Sequence, residues 1–319
     1  MTSIIAPEPA PSPFLPGTNI QFAWDSTSIG LIKTCPRLYY YTMIEGWVPK
    51  DESVHLTFGR EYHQALQDYD MCRASGLDHT ESMFQSVREL LFRTEGFRPD
   101  PDTKAGKYKS REALVRTVIW YLDSVRQNDN FRTHILANGK PAVELSFRFE
   151  LPFGPNSDQP YLLCGHLDRV CTDGNDLYIE DHKTTTSSLG DYFFNQFEPH
   201  NQMSLYTFGG QIVLETTVRG VIINGVQLLV DSSRFVRGFT FRTPDQIEEW
   251  VTDLSRWLDL AEWFASNSTW PQNDTACDKF GGCRFRNVCS KSPGVRDIYL
   301  KSNFTKVPED EKWNPLKPR

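Results

Sequence analysis

Apolar positions recur every three to four residues over the first part of this chain and every second residue over its middle. Helices should therefore precede a sheet. Ser26, Thr27 and Ser28 are placed to cap a helix through Gly30, Leu31 and Ile32, and Cys35-Pro36 opens a second over 37–46. Over 55–75, Phe58, Tyr62, Ala65, Leu66 and Tyr69 fall on one helical face, and 78–95 is a further amphipathic helix. A Pro/Asp/Gly break at 97–107 leads to a helix over 111–128 with Leu114, Val118, Trp120, Tyr121 and Val125. The period then becomes two. Strands are expected at 142–151, 161–171 and 177–183 as an antiparallel meander, with the turn 152–160 after the first. A helix at 200–213, strands at 218–230 and 234–243 and a helix over 244–267 complete the pattern, the last burying Trp250, Leu254, Trp257, Leu258, Ala261 and Phe264.

The hairpin 161–183 carries the densest chemistry. Gly174-Asn175 suits a two-residue turn because both tolerate a positive φ. That turn places Asp168 opposite Asp181, and alternation puts Lys183 on their face. Facing carboxylates repel unless a hard cation joins them, and a lysine beside them can steady a water and a growing phosphate charge. The competing reading is a solvated polar face, and a one-residue slip would pair Asp168 with Glu180 instead. Glu144, on the preceding strand, is an additional acid.

With 319 residues, 39% of them hydrophobic and 13% aromatic, the chain can bury a sizeable core. No apolar run approaches a membrane span, and the N-terminus has no signal-peptide pattern; residues 1–20 read as a flexible Pro-rich leader. The net charge of −7 does not advertise a nucleic-acid binder, although a local basic track would suffice for one. Seven cysteines without an export signal point to a reducing compartment, hence the cytoplasm.

Other candidates are scattered. Gly59 and His63 share a helix face, where the glycine would admit a neighbouring backbone and the histidine would reach a site. Lys104, Lys107, Lys109, Arg111 and Arg116 surround Tyr108, a pattern that either follows phosphates or is a solvated helix entrance. Gln202 and Tyr206, four apart, can bridge a lysine, a water and a phosphate oxygen. Cys277, Cys283 and Cys289 recur every six residues, with Arg284, Phe285 and Arg286 between them and glycines loosening the loop. They call for a fourth ligand, best supplied by Cys35. Tetrahedral zinc and a 4Fe–4S cluster both satisfy that count, and either would clip the start of the fold to its end. Cys72, Cys164 and Cys171 are expected in the core.

Taken in order, GREYH (59–63), GHLD (165–168), EDHKT (180–184), QMSLY (202–206) and the four cysteines resemble the RecB-like branch of the PD-(D/E)XK nucleases, in its iron–sulfur subgroup with CRISPR-associated and phage exonucleases and the AddB nuclease domain. The resemblance implies an α/β fold: a restriction-endonuclease-like αβββαβ core, a mixed sheet between helices, with added N-terminal helices and a C-terminal Cys-rich metal-cluster segment. It implies one nuclease domain over 21–290 (helical part 26–130, catalytic sheet 140–243, helix and Cys-rich clip 244–290) and a tail over 291–319. By it, Asp168 and Asp181 bind Mg²⁺ or Mn²⁺ together with His63 and the carbonyl of His182. Lys183 is the signature lysine, Gln202 and Tyr206 position it, and Cys35, Cys277, Cys283 and Cys289 hold a 4Fe–4S cluster, with structural Zn²⁺ as the alternative. The triplet is C-x5-C-x5-C where many members have C-x2-C-x5-C, and Glu180 stands where an apolar residue is usual. The implied activity is metal-dependent hydrolysis of DNA, as an exonuclease on single strands or ends in a bacterial or phage-infected cell. A helicase or recombination protein is a candidate partner, and an oligomer is compatible. The rival readings are a metal-clipped DNA-binding subunit with little or no cleavage and a hydrolase of small phosphates.

Overall fold

The computed structural model describes residues 11–51, 53–155, 159–278 and 282–317. In chain order these form β1 (Ala23–Trp24), α1 (Ser26–Thr34), α2 (Pro36–Tyr39), β2 (Trp47–Pro49), α3 (Val54–Ala74), α4 (His79–Arg93), α5 (Lys104–Tyr108), α6 (Arg111–Tyr121), β3 (Arg132–Thr133), β4 (Val143–Glu150), β5 (Leu162–Thr172) and β6 (Leu177–Thr185). There follow α7 (Asp191–Asn195), α8 (Asn201–Leu214), β7 (Val218–Leu228), β8 (Ser233–Thr240), α9 (Pro244–Ser266), α10 (Arg286–Cys289), α11 (Arg296–Asn303) and β9 (Phe304–Lys306). π-helical turns, Tyr40–Ile44 and Leu122–Arg126, extend α2 and α6 where the pattern implied continuous α-helix. The chain divides into two compact units: residues 11–51, 147–165 and 248–317 in one, and 53–146 and 166–247 in the other; β4 and β5 lend residues to both.

In the second unit the sheet runs β5, β6, β7, β8, with β3 also on β5. β5 and β6 pair antiparallel, β6 and β7 parallel, β7 and β8 antiparallel, so the sheet is mixed. The hairpin register is Arg169↔Glu180 through Thr172↔Leu177. Its turn differs in detail from the expected one. Gly174 takes a φ of 101° while Asn175 does not enter the left-handed region, because the Asp173 carboxylate already accepts the N–H groups of Asn175 and Asp176, each at 2.9 Å. Helix α8 covers the face of Ile179. Gly210 makes this contact close, since a Cβ there would stand 2.6 Å from Ile179 Cδ1. Helices α3, α4 and α6 cover the opposite face, where Phe58, Tyr62, Leu66, Leu114 and Tyr121 pack with Val226 and Leu228 of β7.

In the first unit α1 is capped one residue earlier than the sequence indicated. Asp25 accepts the Ser28 N–H at 2.8 Å while Ser28 Oγ accepts the Asp25 N–H at 3.0 Å, a reciprocal capping box. β1 lies parallel to the start of β5. The stretch 11–20, read as leader, folds into a turn in which Phe22 donates to Pro13 O at 2.9 Å; residues 1–10 of that leader lie outside the described residues. The stretch 291–319, read as a tail, holds α11 and β9. β9 pairs antiparallel with β2, and Trp313 donates to the N-cap Asp25 at 2.8 Å. Strands of three residues carry no periodic signal, so neither was legible before pairing.

Candidate active site

Period two separates the residues of β6 onto two faces. Asp181 and Lys183 share the face covered by α8, and Glu180 and His182 share the other. Continuing the register one step past Arg169↔Glu180 sets Asp168 opposite Asp181, as the hairpin implied. Asp181 is 1% exposed. Lys183 Nζ lies 3.0 Å from its Oδ1 and 2.9 Å from its Oδ2, and donates also to Gln202 Oε1 at 2.9 Å. Gln202 Nε2 in turn donates to the Tyr206 hydroxyl at 2.8 Å, so one turn of α8 holds the lysine in place.

His63 reaches the same group from α3. Tyr62 packs edge-on against the His182 ring, and His63 then places Nε2 2.8 Å from the His182 carbonyl oxygen and Nδ1 2.9 Å from Asp168 Oδ2. Both ring nitrogens face acceptors, an environment that only the imidazolium satisfies fully. Burial opposes that charge, but the carboxylates of Asp168 and then Asp181 outweigh it and raise the His63 pKa to about 9. For Asp168, burial pushes upward, while His63 first and then Lys183 bring it down to about 2. Asp181 is held above its ordinary value by burial and by the Asp168 charge, against the pull of Lys183. One sheet face thus keeps two carboxyls with opposite shifts, a pattern common where acids do chemistry.

Among the described residues no three or more His, Cys, Asp or Glu stand as a ready metal-holding group. The donor set nevertheless suits a hard cation. Asp168 Oδ2 and Asp181 Oδ2 are buried and receive no well-aligned hydrogen bond, although a cation sits within ion-pair distance of each. Glu144 is close enough for its charge to raise the Tyr206 pKa, after burial, Asp168 and Asp181; its φ of 48° on a strand is a strained backbone of the kind found at re-aimed side chains.

Glu180 is the residue whose placement the sequence left open. It is 0% exposed on the opposite face, where Arg126 (3.0 Å), Arg169, Asn224 and the Tyr121 hydroxyl (3.2 Å) bind it. Arg126 and Arg169 also lie within 3.4 and 3.7 Å of Asp70, and Arg237 holds Asp129 at 2.8 Å. This network was missed, although the register that aligns Asp168 with Asp181 also aligns Arg169 with Glu180.

Two expectations do not survive. Among the described residues a Cβ at Gly59 meets nothing within 4 Å, so no neighbouring backbone there requires that glycine. The basic approach to α6 is not a continuous track: Lys109 is buried over the Phe58 ring with its pKa lowered to about 8, and Arg111 and Arg116 donate to main-chain carbonyls. Among the cysteines, Cys164 and Cys171 are buried as expected, while Cys72 is half-buried. In the first unit the thiols of Cys277 and Cys289 are each within electrostatic range of Cys35 and Cys283. Burial and then Cys283 and Cys35 raise Cys277, and Cys289 feels the same two after burial and Arg37. Cys35 Sγ accepts the Asn273 N–H at 3.4 Å. Gly282 takes a φ of 108°; Lys279, Phe280 and Gly281 of the same loop lie outside the described residues.

A crystal structure described as a putative exonuclease from Eubacterium rectale is similar to this chain with a TM-score of 0.50 and 12% identity, covering 87% of this chain and 92% of that one. A second, named SSO0001, gives a TM-score of 0.27 at 13% identity over 63% of this chain and 84% of its own, and carries no argument. No curated protein matches the sequence. The profile of the PD-(D/E)XK nucleases matches residues 26–290, a span that takes in the hairpin, the helix of His63 and the helix of Gln202. On that match, over the mixed sheet and paired acids described above, the chain belongs to the PD-(D/E)XK nuclease superfamily.

Proposed function

We propose that this protein is a Mg²⁺- or Mn²⁺-dependent deoxyribonuclease that acts on single-stranded DNA or DNA ends, as an exonuclease. The observation that carries the reading is Asp168, Asp181 and Lys183 on one sheet face, with two buried carboxylate oxygens lacking aligned donors. The description of the similar structure as an exonuclease supports the choice of exonuclease over endonuclease. His63, Asp168, Asp181 and the His182 carbonyl are the groups that would hold the cation, which when bound polarises the phosphate and lowers the pKa of a water. Lys183 orients the attacking water and offsets charge on the phosphate oxygens. Gln202 fixes Lys183, and Tyr206, kept protonated by burial and the nearby carboxylates, fixes Gln202. Digestion of single strands labelled at either end, beside circular single strands, tests the assignment; rapid cleavage of the circles would replace the exonuclease with an endonuclease.

The His63 proton gives this reading a pH signature. The raised pKa means that its ion pair supports the metal-free fold fully below pH 6.5 and is lost as pH rises through about 9. A cation ligated by His63 must displace that proton. Calorimetry should therefore show Mn²⁺ affinity climbing as pH approaches 9 and levelling above it, and His63→Ala should remove the climb. An affinity in the wild type that is flat across that range would separate His63 from the metal.

We infer that Cys35, Cys277, Cys283 and Cys289 make a second, structural centre for a 4Fe–4S cluster or zinc; Cys277 and Cys289 each lie within electrostatic range of Cys35 and Cys283, although among the described residues the four do not stand as a ready metal-holding group. Cys283→Ala should lower yield and solubility more than it lowers the activity of the protein that does fold. Anaerobic purification should give either visible iron–sulfur absorption or stoichiometric zinc without colour. A metal-free, fully soluble wild type would end this reading.

A further inference from the structure

The face of the sheet that carries Glu180 is covered by α3, α4 and α6 only in part. Beyond their edge Tyr178, Phe239 and Phe241 line up with Phe131. Phe131 lies edge-on to Tyr178 at 5.2 Å between centroids and 6.0 Å from Phe239, and Phe239 and Phe241 are parallel within 7° at 6.4 Å. Phe239 and Phe241 remain 44% and 49% exposed although each is on or beside a paired strand. Two arginines bracket the row: Arg237 stands 5.1 Å from the Phe131 centroid and Arg219 5.7 Å from that of Phe241.

The local backbone is built around these rings. The parallel register between β6 and β7 shifts at Leu177/Tyr178, leaving Arg219 as the extra residue, and such an irregularity re-aims the side chain it carries. Gly220 beside it has no space for a Cβ, which would stand 2.7 Å from Phe241 Cδ1, so the phenyl ring lies on bare backbone. A cavity of about 550 Å³ adjoins Phe131 and is lined also by Asp70, Arg73 and Asp129. Arg219 enters no ion pair among the described residues, whereas Arg237 is tied to Asp129. Asp173 and Asp176 flank Tyr178 at the hairpin turn.

Two exposed parallel rings with the guanidinium of Arg219, which enters no ion pair among the described residues, over one of them match the requirements of an unpaired polynucleotide. The rings stack on bases of any sequence, and the arginines meet phosphates. An apolar protein partner would leave Arg219 desolvated without an ion-pair partner. We propose that this face is a second binding surface for single-stranded nucleic acid, separate from the face of Asp168 and Asp181. That the strand is DNA rests on the nuclease reading; the stacking surface itself does not.

Fluorescence anisotropy of a labelled oligothymidylate in EDTA, where cleavage plays no part, tests it. Phe239→Ala/Phe241→Ala should lose at least about tenfold in affinity. Arg219→Gln should lose less and reduce the salt slope by about one. Turnover of a chromogenic thymidine phosphodiester by the same variants with Mn²⁺ should match the wild type. Unchanged affinity in the double alanine variant would overturn the proposal. Wild-type affinity in Phe239→Leu/Phe241→Leu would do the same, because leucine keeps apolar area but cannot stack. So would a concentration-dependent dimer in sedimentation that the alanine variant abolishes, since the face would then join two copies. A wild type inert towards every phosphodiester, whose strand binding still depends on Phe239 and Phe241, would remove the nuclease reading and support this one.

Discussion

Lys183→Ala is expected to lower Mn²⁺-dependent DNA hydrolysis by about 100- to 1,000-fold, the usual cost of removing one preorganised group that meets transition-state charge. The ammonium lies 3.0 Å from Asp181 Oδ1 and 2.9 Å from Gln202 Oε1, so it is held at the carboxylates before any substrate arrives. Its side chain is 29% exposed, which leaves room for an alanine without a closed cavity in the core. The variant should therefore fold, and it should bind oligothymidylate as the wild type does. Lys183→Arg keeps the charge but changes its shape, and should recover part of the activity. Equal loss of DNA in wild type and Lys183→Ala would remove the catalytic role of Lys183, and no loss in either would favour a DNA-binding subunit with a silent site. The comparison is best made per folded molecule, because removing the ammonium also leaves the buried Asp181 carboxyl beside Asp168 without its counter-charge.

Glu180→Gln should produce the opposite profile: a stability loss of about 3–5 kcal/mol with the chemistry of each folded molecule largely intact. Gln is nearly the same size, so the cost is electrostatic. Arg126 and Arg169, both buried, would keep their charges and lose the carboxylate that binds them. Burial works against the Glu180 charge, yet Arg126 and Arg169 hold its pKa well below the ordinary 4.5. A depressed carboxylate contributes stability above its ordinary pKa and loses it as pH falls through the folded value. The wild type should therefore lose stability in acid more steeply than the variant does. Chemical denaturation at neutral and acidic pH measures both effects, and coincident curves for the two proteins would show that the network does not hold the sheet.

The two predictions fall on one strand, three residues apart and on its opposite faces, and the contrast explains which parts of the site were readable. A strand alternates its side chains, so Asp181 and Lys183 had to share a face once the hairpin was recognised. Gly174 and its acidic neighbours were enough to locate the turn, although Asp173, through its carboxylate, did the work expected of Asn175. Gln202 and Tyr206 were legible for the same reason on a helix, where four residues make one turn. His63 carried no local signal beyond the resemblance. A lone histidine on an amphipathic helix gains meaning only when Tyr62 has docked on His182 and fixed the rotation of α3.

What misled the reading was charge. Lys109 stands among four other basic residues in sequence, but in the fold it is buried over the Phe58 ring instead of following a phosphate track. Asp70, Arg126, Asp129 and Arg237 come from α3, the turn after α6, a loop and β8, and none lies near Glu180 in sequence. The row of Phe131, Tyr178, Phe239 and Phe241 is likewise drawn from a loop and two strands that are not neighbours in sequence or in the sheet.

By itself the amino-acid order determined periods, breaks and turns: where helices and strands run, and which side chains of one element point the same way. Those properties follow from backbone geometry over a few residues. Tertiary structure alone decided which charge meets which. It committed Glu180 to a buried arginine network, turned Lys109 inward, brought His63 to Asp168 and left two phenyl rings uncovered. Such pairings depend on how the sheet registers and how helices dock on it. That is set by burying whole faces at once, and no local stretch of sequence contains it.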